Sequence, residues 1–247
     1  MSRSAITPRR SPGSGPGGTA CSATSSTTGP GERILANDES TWHRSAEWLR
    51  PGVSTVFEML ARAEPDAVSA CINEAVDRGA TISTMQQVRA RSEGRGAGGL
   101  DDLLPAAETS PYLSNPAHLA DRYYRWCTRV DEAGLAQMRN LFADAATAPR
   151  LTWWSSIVTD AGHHAGGPRS AVAQDSLREA DRRLGAFLQQ LDGLGLTDQV
   201  TFLLTADHGF EAADLSVTGS WAPALAVACE RLGVTYRDEG PGFIYLT

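Results

Sequence analysis

Lysine is missing from this chain: all 22 basic residues are arginine. That absence removes a phosphate-binding loop lysine, a Schiff-base lysine and a kinase-type lysine from consideration. Cysteine is scarce. Cys21, Cys71, Cys127 and Cys229 are scattered along 247 residues with no CxxC pair, which speaks against a thiolate zinc site and against a disulfide framework. Cys71 and Cys229 sit in apolar runs and read as small core residues. No run of about 18 apolar residues occurs, so no membrane-spanning helix is expected. Arg9 and Arg10 have no apolar stretch behind them, so no secretory signal is visible and the compartment is unknown, with a cytoplasmic location the default expectation. Positive charge is also in deficit. The net charge is -7, whereas a nucleic-acid-binding face shows a basic excess.

What is present divides the chain in two. Residues 1–32 are mostly Ser, Gly, Pro, Thr and Arg; they offer too little apolar surface to offset ordering entropy and are expected to be disordered. Residues 33–247 have the texture of a single domain with a core. Val53 to Ala63 carries apolar residues at helical spacing, and Asp66 to Ile72 reads as a short buried strand. Residues 91–111 read as a surface loop. Asn115 to Ala146 reads as helical with a break near Gly134. Leu151 to Val158 reads as a strand, and Ser170 to Leu194 as a long amphipathic helix. On that helix Leu177, Leu184, Leu188 and Leu191 share a face, and Arg178, Arg182 and Arg183 point to solvent. Val200 to Thr205 reads as a continuous apolar strand of a sheet covered on both faces. Ala222 to Leu232 reads as a helix and Gly242 to Leu246 as a final strand. Alternating strands and helices predict an α/β class with a largely parallel sheet.

The candidate chemistry lies in two short segments, Asp160-Ala-Gly-His-His164-Ala-Gly-Gly-Pro168 and Thr205-Ala-Asp207-His208-Gly209. Each follows a predicted strand, and in parallel sheets the active site forms where strands end. Aspartate and histidine are the ligands of Zn²⁺ when thiolates are absent. A metal pair holds a phosphoryl group between its ions and needs no lysine.

The segment Asp160–Pro168 resembles the PDxxGHxxGP-type motif of the type I phosphodiesterase and nucleotide pyrophosphatase family, within the alkaline-phosphatase superfamily. Asp160, His164 and Pro168 match, and His163 stands where the family often has glycine. Thr205–Gly209 is similar to the family's second metal segment, with matches at Asp207 and His208. By that resemblance, Asp160 and His164 bind one divalent ion, zinc by expectation, and Asp207 and His208 bind the second. Arg33–Asp38 resembles the segment that follows the family's nucleophile helix, which puts a phosphate contact at Asn37. The resemblance implies a three-layer α/β sandwich with an alkaline-phosphatase-like core. It implies hydrolysis of a small phosphodiester or nucleotide pyrophosphate substrate.

Three departures qualify that expectation. The family's first strand, ending in a metal-binding aspartate, and its Thr or Ser nucleophile have no counterpart where GSGPGGTACSATSSTTGPG stands. No histidine follows His208. Each ion is left with two ligands, against the three or four that zinc sites use. The domain is therefore expected to be incomplete at its N-terminus, truncated or degenerate, with metal binding weakened, turnover impaired and no catalytic nucleophile identified. The alternative is a catalytically silent α/β remnant acting as a metal-binding or interaction module. Oligomeric state is left open.

Overall fold

The computed structural model describes residues 25–28, 32–35, 42–49, 52–92, 104–212, 214, 216, 219–238 and 244–246. The elements are β1 (Ser25–Thr28), β2 (Glu32–Leu35), α1 (Val56–Ala63), β3 (Ser69–Ile72), β4 (Ile82–Ser83), α2 (Thr84–Ser92), α3 (Arg122–Leu141), β5 (Leu151–Trp154), α4 (Val158–Gly166), α5 (Ala171–Gly193), α6 (Ala222–Leu232), β6 (Tyr236–Asp238) and β7 (Ile244–Leu246), with short 3-10 turns between several of them. β3 is the middle strand of a sheet ordered β4-β3-β5, and both neighbours run parallel to it. β1 pairs with β2, and β6 with β7, as separate antiparallel ribbons. Ser25–Thr28 lies in the segment expected to lack order, so the two readings differ at these four residues. Among the described residues no helix is long and apolar enough to cross a membrane.

Strand side chains alternate between faces, and β3 uses both. Ala70 and Ile72 are buried with Leu135 and Met138 of α3, Phe142, Phe187 and Leu191 of α5, and Leu196. Cys71 packs on the other side with Phe57 of α1 and Ala80. A second cluster joins Tyr124, Cys127 and Val130 of α3 to Ile157, Val158 and Ala161 at the start of α4. The α/β class, the parallel sheet and the buried Cys71 and Cys229 match the sequence reading.

Four expectations are corrected. The helix around Gly134 does not break; α3 runs through it, and the interruption falls at Asp121, whose side chain accepts from Tyr124 N at 3.0 Å and caps α3. Gly134 is there for space: a Cβ would collide with the Asn73 amide and crowd the Trp154 indole nitrogen. Second, the strand expected over Leu151 to Val158 stops at Trp154, so Asp160, His163 and His164 ride on a helix.

Third, α5 has the expected period but a different phase. Ala173, Ser176, Glu179, Arg183, Phe187 and Leu191 face inward, while Leu177 and Leu188 are exposed. Small residues allow the close approach to α4, where a Cβ on Gly162 would collide with Ser176. Arg183 is 1% exposed instead of solvated. Its guanidinium lies 3.5 Å from Glu179 and 3.6 Å from Glu132, donates to Ser110 Oγ at 3.2 Å and sits over the Tyr112 ring. Tyr124 OH donates to the same Glu179 at 2.7 Å.

Fourth, Val200 to Thr205 is not a strand. Val200 touches the core, but Phe202 is exposed, Leu203 is 90% exposed and Leu204 85%. An apolar run becomes a buried strand only when a neighbouring strand satisfies its backbone groups, and among the described residues β5 pairs with β3 alone.

Two smaller differences concern aromatic rings and a histidine. His118 is half-buried, although its place near a helix start reads as a surface position, with Nε2 3.0 Å from Asp175 Oδ2. Trp154 packs edge-on against Phe187, while Trp153 remains exposed and donates from Nε1 to Ser155 Oγ.

Candidate functional site

The carboxyl ends of β3 and β5 open onto the same edge of the sheet, since the two strands are parallel and in register from Ser69↔Leu151 to Ile72↔Trp154. After β3 the chain turns through Asn73, whose φ of 58° is a left-handed conformation that asparagine tolerates. Its amide donates to Val130 O at 3.2 Å, locking the turn to α3. Glu74 follows and is buried. It accepts from Ala75 N at 2.8 Å, Val76 N at 3.3 Å and Ser155 Oγ at 3.1 Å, which ties the end of β3 to the end of β5. Burial pushes the Glu74 carboxyl above its ordinary range, and the charge of Asp207 pushes in the same direction.

α4 begins just beyond β5. Its first N–H groups lack helical partners, and Asp131 of α3 supplies them: Ile157 N and Val158 N donate to it at 3.0 and 3.1 Å, and Ser156 Oγ at 2.6 Å. Asp131 is fully buried, and that burial raises its carboxyl pKa against the opposing charge of Arg183 and the three donors. Capped there and packed through Val158 and Ala161, α4 presents Asp160 in its first turn and His163 and His164 in its last. That distribution of charge complements the helix dipole. Gly167, at φ 86°, ends the helix by donating to His163 O at 2.7 Å.

Around Asp160 the separated segments meet. Oδ2 accepts from Tyr123 OH at 3.2 Å; burial and neighbouring Cys127 and Asp160 raise the Tyr123 pKa, so the phenol keeps its proton. Oδ1 lies 3.5 Å from His164 Nε2, one helical turn on, and 3.8 Å from His208 Nε2. Asp207 Oδ2 is 3.6 Å from His208 Nε2, and its Oδ1 accepts from His208 N at 3.0 Å. His208 Nδ1 donates to Gly209 O at 3.1 Å, which leaves Nε2 as the ring nitrogen that faces the carboxylates. Phe210 closes the group: its ring is stacked on His163 with centroids 4.9 Å apart, and meets His164 and His208 at 4.9 and 5.3 Å with rings steeply inclined.

The donor set, a carboxylate with imidazole nitrogens, suits a divalent transition ion. Ligands about 2.0–2.2 Å from one tetrahedral ion stand roughly 3.3–3.6 Å apart, so the Asp160–His164 spacing fits and the Asp160–His208 spacing is slightly wide. Among the described residues no group of three or more His, Cys, Asp or Glu side chains is placed to hold an ion. The residues thus suit a metal in donor type and in pairs. A cavity of about 450 Å³ opens at the opposite end of the sheet, lined among others by Glu64, Val68 and Arg150, which precede β3 and β5.

A family model described as type I phosphodiesterase / nucleotide pyrophosphatase matches residues 33–232. The chain belongs to this family. Searches of curated proteins and of solved structures found no match. Membership of the phosphodiesterase family supports a hydrolase acting on small phosphodiester substrates, in a family that is generally metal-dependent.

Of the sequence-predicted residues, Asp160, His164, Asp207 and His208 come together, and Asn37 lies outside the described residues. Sequence reading missed Glu74, Tyr123 and Phe210. Glu74 follows a strand end, the same position that singled out Asp160. Phe210 directly follows the second motif. Tyr123 carries no local signal, because its reach to Asp160 exists only once α3 packs on α4.

Proposed function

We infer that this chain carries the metal-binding part of a phosphodiester or nucleotide-pyrophosphate hydrolase site, with Asp160 and His164 holding one divalent ion and Asp207 and His208 the other. Zinc is the metal that suits a carboxylate and imidazole set. The observation that carries this reading is the Asp160 carboxylate standing between the Nε2 atoms of His164 and His208. Bound ions polarise a phosphoryl group and lower the pKa of an attacking oxygen. The chain's own residues prepare that chemistry. Tyr123 orients Asp160 through Oδ2 and leaves Oδ1 free. Asp131 fixes the start of α4. Asn37 contacts the substrate phosphate. The same reading extends to a three-layer core of the alkaline-phosphatase type.

Turnover is impaired on this reading, because the matched motifs supply two ligands per ion and no nucleophile is positioned among the described residues. A second reading, a silent binding module that keeps at most one ion, draws support from the exposure of the segment that carries Asp207 and His208.

One experiment decides between them. Bound zinc is measured on the purified chain, and hydrolysis of a chromogenic phosphodiester is followed with and without added Zn²⁺. Metal uptake and turnover that both disappear in His164→Ala and Asp207→Ala establish the hydrolase. One ion lost in His164→Ala, with no turnover in any form, establishes the module. A chain that takes up no zinc and shows no turnover sinks the hydrolase and leaves the silent module.

A further inference from the structure

The loop bearing Asp207 and His208 has little of its own to hold it against α4. Its hydrogen bonds among the described residues are local: Thr205 Oγ1 to Ala206 O, His208 N to Asp207, and His208 Nδ1 to Gly209 O. What reaches α4 is the 3.8 Å approach of His208 to Asp160 and the ring of Phe210. That ring touches three imidazoles from two segments, His163 face to face and His164 and His208 by edge contacts.

The stacked partner is itself fixed. His163 Nδ1 lies 2.7 Å from Thr159 O. A carbonyl only accepts, so Nδ1 donates and the imidazole is held to the backbone of its own helix. His163 is therefore a rigid platform, and Phe210 docks on it with an interplanar angle of 27°. Docked there, the phenyl ring meets both His164 and His208, the two side chains whose Nε2 atoms face Asp160.

We propose that Phe210 is a positioning residue: by stacking on His163 it anchors the Asp207–His208 loop to α4 and sets the direction in which His164 and His208 present Nε2 to Asp160. The proposal rests on the metal-site reading above for its consequence and on ring geometry for its cause. It also gives His163 a role as the docking platform, at the position where the family often has glycine.

The test uses the full chain and two readouts. The first needs no metal. In ¹H–¹³C spectra of the histidine rings, His163 protons lie over the phenyl face and are shifted upfield. In Phe210→Ala they move downfield, the His164 and His208 signals move as well, and Phe210→Tyr retains the wild-type pattern. The second readout is Co²⁺ titration followed by visible absorption, Co²⁺ standing in for Zn²⁺. Phe210→Ala weakens binding by roughly 10- to 100-fold, as loss of a ligand-orienting partner does, and Phe210→Tyr restores it. The denaturation midpoint stays at the wild-type value in Phe210→Ala, because Phe210 belongs to none of the buried clusters. Coincident histidine spectra for wild type and Phe210→Ala overturn the proposal, and so does Co²⁺ affinity that is equal in both. A wild-type chain that binds no Co²⁺ overturns the metal reading instead, and the histidine spectra then decide the role of Phe210 alone.

Discussion

Asp160 and Asp207 belong to the same candidate site but are held in opposite ways. Asp160 rides on a helix whose first N–H groups are capped by a buried aspartate, whose inner face is packed on α3 and α5, and whose entry is fixed by the end of β5. Asp207 follows a run of apolar residues that reach into solvent, joined to α4 through a histidine and a phenylalanine. The stretches that precede the two aspartates, LTWWSSIV and VTFLLT, are similarly apolar in sequence. The difference between them is whether neighbours exist. At the start of α4 the buried Asp131 carboxyl and the Ile157 and Val158 N–H groups are paired with one another, and burial is then favourable at about 25 cal/mol per Å² of apolar surface. Around residues 201–205 no adjacent strand among the described residues takes up the backbone N–H and C=O groups, and burying those groups unpaired would cost more than the side chains return.

The sharpest way to break this comparison is at the best-anchored point, Arg183. Its guanidinium is the one positive charge described among Glu179, Glu132 and Asp131, all in the wall that supports α4. Removing one partner of a buried ion pair costs about 3–5 kcal/mol, because the charges left behind stay desolvated. Arg183→Ala should therefore lower the urea-derived unfolding free energy by that amount. Arg178→Ala, five residues earlier on the solvent face, should stay within about 0.5 kcal/mol of wild type. Equal small effects would mean that α5 is not wedged against α3 as described.

A matched pair of leucines compares the regions directly. Leu191 is fully buried in the main core and Leu204 is 85% exposed. Leu191→Ala should cost about 2–5 kcal/mol, and Leu204→Ala less than about 0.5 kcal/mol. A loss of more than about 2 kcal/mol at Leu204 would show that the segment is buried in solution, for instance as a further strand beside β5.

The same contrast explains what could be read from the residues alone. The helix at Val56–Ala63, the strand at Ser69–Ile72, the long helix at Ala171–Gly193 and the Asp and His pairs were all legible, because local period and motif spacing determine them. The phase of α5 was not. Leucines at 177 and 188 carry the stronger apolar signal, yet Ala173 and Ser176 are what let the helix approach Gly162. Arg183 reads as a solvated charge because Glu132, Ser110 and Tyr112, which enclose it, are far away in the chain. Val200 to Thr205 looked like a strand because composition reports what a segment would gain from burial and is silent on whether a neighbour is available. Tyr123 and Phe210 act only through tertiary contact, so no spacing rule reaches them.

The smallest expected effect concerns pH and the cap of α4. Burial raises the Asp131 pKa in the folded state above its unfolded value. A raised carboxyl pKa means that the folded chain binds the proton more tightly. Its stabilising contribution is then complete below the unfolded pKa, near 3.9, and is lost as pH rises through the folded value. Asp131→Asn keeps an acceptor for Ile157 N and lets Ser156 Oγ accept in turn, but it leaves Val158 N without an oxygen, at a cost of about 1–3 kcal/mol. The asparagine does not titrate. Wild type should therefore lose stability relative to Asp131→Asn as pH rises from 4 to 7, and the gap between their unfolding free energies should narrow. A gap that widens over the same range would mean that the ionised carboxylate, held by Arg183 and the three donors, is the form the fold selects; the charge of Arg183 would then outweigh burial in setting the start of α4.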